Sequence, residues 1–231
     1  MKKIIISIFL LLGTFSMASA ELGVKVGISG TIGEFEAKGT ELDGTEINGN
    51  KASDDKAETL GAMGSIFIEK TLSFLPGPLG RLSIGYDHVP HEIQTGTTSR
   101  RVSNLRGTTL GHDTRQTGEN KASATIDNIN TLYLTANITD WLYVKYGSME
   151  ADVQTTESLI TGSEYGNLGI DGTVWGLGFQ GMMDNGMFFR VEYNDISLDG
   201  GSLKSSNNTD NTIKLDEIAG SAAKLSVGKS F

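Results

Sequence analysis

The sequence predicts an all-β fold in which eight antiparallel strands close into a barrel in up-and-down meander order. Three observations support this prediction. Apolar and polar residues alternate with a period of two, glycine is abundant at 30 of 231 residues against only 3 prolines, and short and long connections alternate along the chain. A period of two indicates strands with two chemically different faces. Glycine supplies the turns that many strands need.

The alternation defines each strand in turn. In the third strand, for example, Leu82, Ile84 and Tyr86 are separated by small or polar residues, and the last strand repeats the pattern with Ala223 and Leu225. The predicted strands span 22–38, 58–72, 80–92, 121–138, 141–153, 170–183, 186–198 and 212–231.

The connections between these strands differ in length in a regular way. Three are short, around Pro76-Gly77-Pro78, Thr139-Asp140 and Asp184-Asn185-Gly186. An even strand number then places both chain ends on the same rim as the short turns, with the long loops on the other rim. The long loops are predicted at about 40–57, 93–120, 154–169 and 199–211.

The N-terminus has the pattern of a secretory signal. Lys2 and Lys3 precede a short apolar run at 4–12, and Ala18-Ser19-Ala20 fits a cleavage site. We therefore expect residues 1–20 to be a signal peptide and residues 21–231 to form one barrel domain. No other segment approaches the roughly 20 apolar residues of a spanning helix, so any membrane crossing must be made by strands.

Composition excludes several kinds of function. The chain has no cysteine, which excludes disulfides, thiol catalysis and thiolate metal sites. Its formal net charge of −9 disfavours a nucleic-acid partner. We expect a monomer.

The strand faces have opposite chemistry, which is typical of a barrel in lipid. In hydrocarbon every backbone polar group must be paired internally, and a closed barrel meets that condition. The apolar face then contacts lipid, and the polar face fills a narrow interior in which charges must be paired. The alternative is the solvated face of a soluble sheet. The predicted interior charge network consists of Lys25, Glu69, Arg81, Asp87, Lys145, Arg190 and Glu192.

Aromatic residues on the apolar face are predicted at two levels, as expected for rings at the two membrane interfaces. The alternative is ordinary enrichment of aromatic residues in strands. The level near the short turns comprises Trp141, Phe189 and Phe231, and the level near the long loops comprises Tyr86, Tyr146, Tyr193 and Trp175.

With these features the whole mature chain resembles the small outer-membrane β-barrel superfamily, which includes the OmpA transmembrane domain, OmpX and opacity-type porin-family proteins. The resemblance implies a Gram-negative outer membrane, termini in the periplasm and extracellular loops. It also implies that the last strand is an assembly signal for the barrel-assembly machinery, carried here by Leu225, Val227 and the terminal Phe231. Lys229 departs from the usual apolar or aromatic residue.

Candidate chemistry is sparse. The segment Asp87-His88-Val89-Pro90-His91 has metal-ligating residue types, but His88 and His91 have opposite strand parity unless Pro90 bends the chain. No histidine lies two residues from a serine, as a nucleophile and base on one strand face would require. We expect no metal, no cofactor and no enzyme activity.

The second long loop is unusual because it is basic. It contains Arg100, Arg101, Arg106 and Arg115, and arginine forks suit phosphate groups. The hypothesis is that these residues contact lipopolysaccharide, and the alternative is a solvated loop.

Two functions remain open. The first is a structural or surface-interaction role for a filled barrel that presents four long loops. The second is a narrow passive pore for small solutes, suggested by the small inward residues Gly27, Gly85, Gly147, Gly176 and Gly178.

Overall fold

The structure is a computed structural model, and it describes residues 23–43, 51–94, 97–107, 113–159, 163–207 and 211–231. The predicted signal peptide at 1–20 lies outside the described residues. Within the described ranges, no helix has the length and apolarity to cross a membrane.

The described chain is almost entirely strand, with one 3₁₀ helix at Gly77–Arg81. The strands are β1 (Val24–Asp43), β2 (Lys51–Thr71), β3 (Leu82–His88), β4 (Ile93–Gln94), β5 (Thr98–Gly107), β6 (Asp113–Asn137), β7 (Leu142–Ser158), β8 (Leu168–Met182), β9 (Met187–Leu198), β10 (Gly201–Lys204), β11 (Thr212–Leu215) and β12 (Ile218–Ser230).

Eight of these strands form a closed ring. The order is β1-β2-β3-β6-β7-β8-β9-β12, each strand is antiparallel to the next, and β12 pairs with β1 to close the circle. The predicted eight-stranded antiparallel meander is therefore confirmed. Closure matters because it pairs the backbone groups that an open sheet leaves at its edges.

The long connections differ from the prediction. The β1–β2 hairpin stays paired as far as Asp43 and Lys51, and β5 pairs with the first part of β6 as far as Gly107 and Asp113. Strand pairing thus continues well into the segments predicted as loops. The apolar alternation disappears there because neither face of these extensions needs to be apolar, so the sequence pattern ends before the hairpin does.

The short turns, the start of β1 and the C-terminal residue share one rim of the barrel. The Phe231 N–H donates to the Val24 carbonyl at 2.8 Å, which holds the C-terminus beside the start of β1. In the β8–β9 turn, Gly186 has a φ of 79°, a left-handed conformation that favours glycine. The other rim carries the paired extensions. We call the two rims the turn rim and the hairpin rim.

Inward side chains of the barrel wall are buried and outward side chains are exposed, as the alternation predicts. Along β9, Phe188, Arg190 and Glu192 are buried, while Phe189 and Val191 between them are exposed. Most predicted interface rings are likewise exposed on the outside, and Trp141 stacks on Phe179 with ring centroids 5.6 Å apart. Tyr86 is half-buried, and its hydroxyl donates to the Asn130 side chain.

Candidate functional site: the charged layer inside the barrel

Glu69 is the centre of the barrel interior near the turn rim. Its side chain is fully buried, and Arg190 donates to both carboxylate oxygens, Nη1 to Oε2 at 2.7 Å and Nη2 to Oε1 at 2.8 Å. The Lys25 ammonium lies 3.3 Å from Oε1. A bidentate arginine–carboxylate pair is among the strongest charge-assisted hydrogen bonds, and its flat geometry fixes both side chains. β1, β2 and β9 are thereby tied together across the lumen.

A second carboxylate, Glu192, organises the next part of the layer. Its Oε2 accepts from the Lys145 ammonium at 2.8 Å and from the Asn194 amide at 3.3 Å, and its Oε1 accepts from the Tyr143 hydroxyl at 2.6 Å. Since all four side chains are buried, each polar group needs such a partner. β7 and β9 are joined by this cluster.

The third pair joins Asp87 to Lys224, with 2.5 Å between the ammonium and Oδ2. The Lys224 ammonium also lies 3.4 Å from the hydroxyl of Ser65, which in turn is 2.7 Å from that of Ser29. Among the described residues, three carboxylates and four cations are therefore buried inside the barrel, and every one of the three acids has a base against it.

Aromatic rings fill the space around these charges. The Arg190 guanidinium carbon lies 5.1 Å from the ring centroids of Tyr143 and Phe188 and 5.8 Å from that of Phe67. The Lys145 ammonium lies 5.2 Å from the Tyr133 centroid. A cation within about 6 Å of a ring face is attracted by the ring's charge distribution. The charges and rings together form what we call the charged layer.

The small inward residues make room for these rings. A Cβ on Gly85 would lie 2.2 Å from Cζ of Tyr133, and one on Gly178 would lie 2.3 Å from Cζ of Tyr143. At Gly27 the nearest ring atom, from Phe67, would be 2.6 Å away. Three of the five glycines that suggested a narrow water path, Gly27, Gly85 and Gly178, therefore lie under aromatic rings, whereas Gly176 faces the Asn194 side chain.

Six of the seven residues predicted for the charge network lie in the charged layer. Arg81 does not, and that assignment was wrong. It ends the 3₁₀ helix at Gly77–Arg81, one residue before β3 begins, and is exposed, with Nη1 donating to the Ile138 carbonyl at 3.1 Å. The prediction started the strand at residue 80, and Pro-Gly-Pro instead produced a helical turn.

Lys224 is the member of the layer that the prediction omitted. Its position in β12 has the same parity as Ser226 and Gly228, so it belonged to the polar set of the last strand and the alternation was sufficient to identify it.

The remaining candidate residues occupy separate places. Asp87 points into the layer, His88 Nδ1 lies 2.9 Å from Asn130 Oδ1, and His91 Nε2 accepts from the Gly64 N–H at 3.0 Å, so the three do not converge. Leu225, Val227 and Phe231, predicted as an assembly signal, are exposed on the outer face. Lys229 also lies on the outer face of β12, and its ammonium donates to the Asn185 carbonyl in the β8–β9 turn.

The four arginines lie on the β5–β6 hairpin. Arg100 and Arg101 are neighbours on β5, and Arg101 is exposed. Arg106 is paired in register with Thr114, and Arg115 with Leu105. By this register Arg101 and Arg115 share one parity and Arg100 and Arg106 the other, so the four positions do not form one row.

The chain was compared with family models, curated proteins and solved structures, and only the solved structures gave matches. No family model and no curated protein matches the chain. OprG, an outer membrane protein of Pseudomonas aeruginosa, is 14% identical with a TM-score of 0.42, over 91% of this chain and 97% of that chain. Neisserial surface protein A is 8% identical with a TM-score of 0.39, over 92% and 100%. Ail of Yersinia pestis is 9% identical with a TM-score of 0.34, over 86% and 98%. These are proteins of the kind that the sequence resembles. The identities and TM-scores are low, so the function proposed below rests on the chain's own geometry.

Proposed function

We propose that this chain is an integral outer-membrane β-barrel with a closed lumen, whose role is structural or at the cell surface. The observation that carries the proposal is the charged layer. It fills the interior with paired charges and rings, while the outward positions at the same level, such as Val191, Leu225 and Val227, are apolar and exposed. Exposed apolar side chains on a wall of paired strands suit a hydrocarbon surrounding.

The proposed orientation puts the turn rim and both chain ends in the periplasm and the hairpin rim outside the cell. Short periplasmic turns and longer outer connections are the usual arrangement of bacterial barrels. Because the chain has no cysteine, single cysteines report on this directly. We expect Arg101→Cys, on the β5–β6 hairpin, to react with a membrane-impermeant maleimide on intact cells. Asn185→Cys, in the β8–β9 turn, should react only after the outer membrane is permeabilised. The opposite labelling pattern would contradict the orientation.

Lipopolysaccharide is the partner we propose for the β5–β6 hairpin. A hairpin that carries Arg100, Arg101, Arg106 and Arg115 beside the outer leaflet would meet the phosphate groups of lipopolysaccharide, and guanidinium forks bind phosphate in two-point contacts. Replacing all four arginines by serine should weaken binding to lipopolysaccharide-containing vesicles. Replacing them by lysine is the matched control, because it retains charge and loses the fork. Unchanged binding by the serine variant would reject this partner.

We also propose that the barrel is not an enzyme. The two described histidines have other partners, His88 at Asn130 and His91 at Gly64 and the Glu92 carbonyl. Incubating the refolded protein with outer-membrane lipids should release no acyl chains, and turnover would contradict the proposal.

The alternative function, a narrow passive pore, requires a continuous water path along the lumen. The rings over Gly27, Gly85 and Gly178 occupy the places where that path was expected. The filled interior therefore favours the surface role.

A further inference from the structure

The lumen has a second layer, nearer the hairpin rim, whose chemistry is opposite to that of the charged layer. Its inward side chains are apolar and buried or partly buried, and they surround a cavity of about 310 Å³. We call this cavity the apolar chamber, and its wall includes Met63, Ile129, Met149, Ala151, Ile196 and Leu198.

The charged layer is the floor of the apolar chamber. Toward the hairpin rim, the next inward position after Ser65 on β2 is Met63, and the next after Asn194 on β9 is Ile196. Apolar inward positions therefore follow directly on polar ones. Below them, the Asp87–Lys224 pair and the Glu192 cluster occupy the lumen. A molecule in the chamber therefore has no route along the barrel axis to the turn rim.

The wall beside the chamber has a gap in its strand pairing. β2 extends from Lys51 to Thr71, but β3 pairs with it only from Ile66 onward. Beyond that point β4 and β5 pair with β6 alone, so among the described strands none pairs with this edge of β2. We call the gap the seam. Leu60 and Gly61 on one side of the seam and Ile93 and Gln94 on the other all line the chamber.

Among the described residues, the His91 side chain makes a hydrogen bond across the seam. His91, in the segment between β3 and β4, accepts a hydrogen bond from the Gly64 N–H at 3.0 Å, and its Nδ1 lies 3.1 Å from the Glu92 carbonyl. A single side-chain contact is far weaker than a ladder of strand hydrogen bonds. The seam is therefore the place where this wall opens most easily.

From these observations we infer that the apolar chamber is a binding site for a small uncharged apolar molecule that enters through the seam. The size follows from the volume. An apolar cavity of about 150 Å³ accommodates benzene, so about 310 Å³ suits a fused bicyclic ring or a chain of about ten carbons. The chemistry follows from the inner wall, because its apolar side chains favour a ligand without charge or hydrogen-bonding groups. The two polar lining residues, Glu92 and Gln94, are exposed and lie at the seam.

Methionine methyl groups allow a direct test with naphthalene as the probe. Met63 and Met149 line the chamber, whereas Met182, Met183 and Met187 are exposed at the opposite rim. The full chain, labelled with ¹³C at its methionine methyl groups and refolded into lipid nanodiscs, is titrated with naphthalene. We expect saturable shifts at Met63 and Met149, and only a small, linear drift at the other three as the probe partitions into lipid.

Variants separate binding in the chamber from partitioning. Ala151→Phe places a ring in the cavity and should reduce the apparent affinity at least about tenfold. Ala136→Phe, on the outward face of β6, is the matched control and should leave the titration unchanged. If circular dichroism shows that Ala151→Phe does not fold, Ile196→Trp is used instead, because it also places a ring in the chamber. Equal linear drift at Met63, Met149 and the three exposed methionines of the turn rim, or saturable shifts that a folded filled variant retains, would overturn the inference. The cysteine-labelling test of orientation is unaffected by either outcome.

Discussion

The charged layer and the apolar chamber lie in the same barrel but are built in opposite ways. Around the charged layer all eight strands are paired with both neighbours, and the interior is occupied by ion pairs and rings. Around the chamber the wall has the seam, and the interior holds a cavity. The two proposals above therefore assign different roles to the two layers: the charged layer closes the lumen, and the apolar chamber holds a ligand.

The largest effect is expected in the charged layer. Glu69→Ala leaves Arg190 and Lys25 buried without their carboxylate, and such a loss typically costs about 3–5 kcal/mol. Urea-dependent folding into lipid vesicles measures it. The control is Glu119→Ala, which removes an exposed pair with Lys121 at 3.5 Å and should cost less than about 1 kcal/mol. Equal stability losses in the two variants would show that the buried network does not hold the barrel together.

A steric prediction concerns the glycines beneath the rings. Gly85→Ala brings a Cβ to 2.2 Å from Tyr133, and overpacking of this kind costs about 1–3 kcal/mol. Gly30→Ala is the matched control, because nothing lies within 4 Å of its Cβ position on the outer face of β1. Folding titrations of the two variants should therefore differ by more than about 1 kcal/mol, and identical midpoints would argue that the rings do not occupy the lumen.

The chamber should tolerate added volume that the charged layer does not. Ala151→Leu extends into the cavity and should change the free energy of unfolding by less than about 1 kcal/mol, because the space is already there. Ser226→Leu makes a comparable change at a buried position in β12 below the chamber and should cost about 1–3 kcal/mol. A larger cost at Ala151 than at Ser226 would contradict the assignment of the cavity.

The smallest effect is local. His91→Ala removes a side-chain hydrogen bond across the seam, the one that His91 accepts from the Gly64 N–H. Amide hydrogen exchange at Gly64 should become faster, while global stability changes by less than about 0.5 kcal/mol, as for other surface substitutions. His88→Ala, which removes a contact to Asn130 instead, should leave exchange at Gly64 unchanged. Equal exchange rates at Gly64 in the wild type and in His91→Ala would show that His91 does not secure the seam.

The sequence predicted the barrel because its two-residue alternation shows which side chains of each strand point into the barrel and which point outward. The same rule identified Lys25, Glu69, Lys145, Arg190 and Glu192 as inward residues. It failed at Arg81, where local turn chemistry replaced the strand, and it located the glycines without revealing which rings covered them. Ring placement depends on side chains from distant strands, such as Tyr133 over Gly85, which no local pattern records.

The seam and the chamber were not predictable for a related reason. A gap in pairing depends on register, and register between β2 and β3 is set by the turn at 72–81 and by closure of the whole ring. Apolar inward residues such as Met149 and Ile196 also interrupt the polar inner set, and by alternation alone they have the chemistry of an outward face.

Planar-bilayer conductance of the refolded wild-type protein tests the central claim, a lumen closed by the charged layer, most directly. The account predicts no steady ohmic current, because the Glu69–Arg190 pair and the rings of Tyr133 and Tyr143 leave no water path. Reproducible ohmic channels from the wild-type protein would contradict the closed lumen and restore the passive pore as its function.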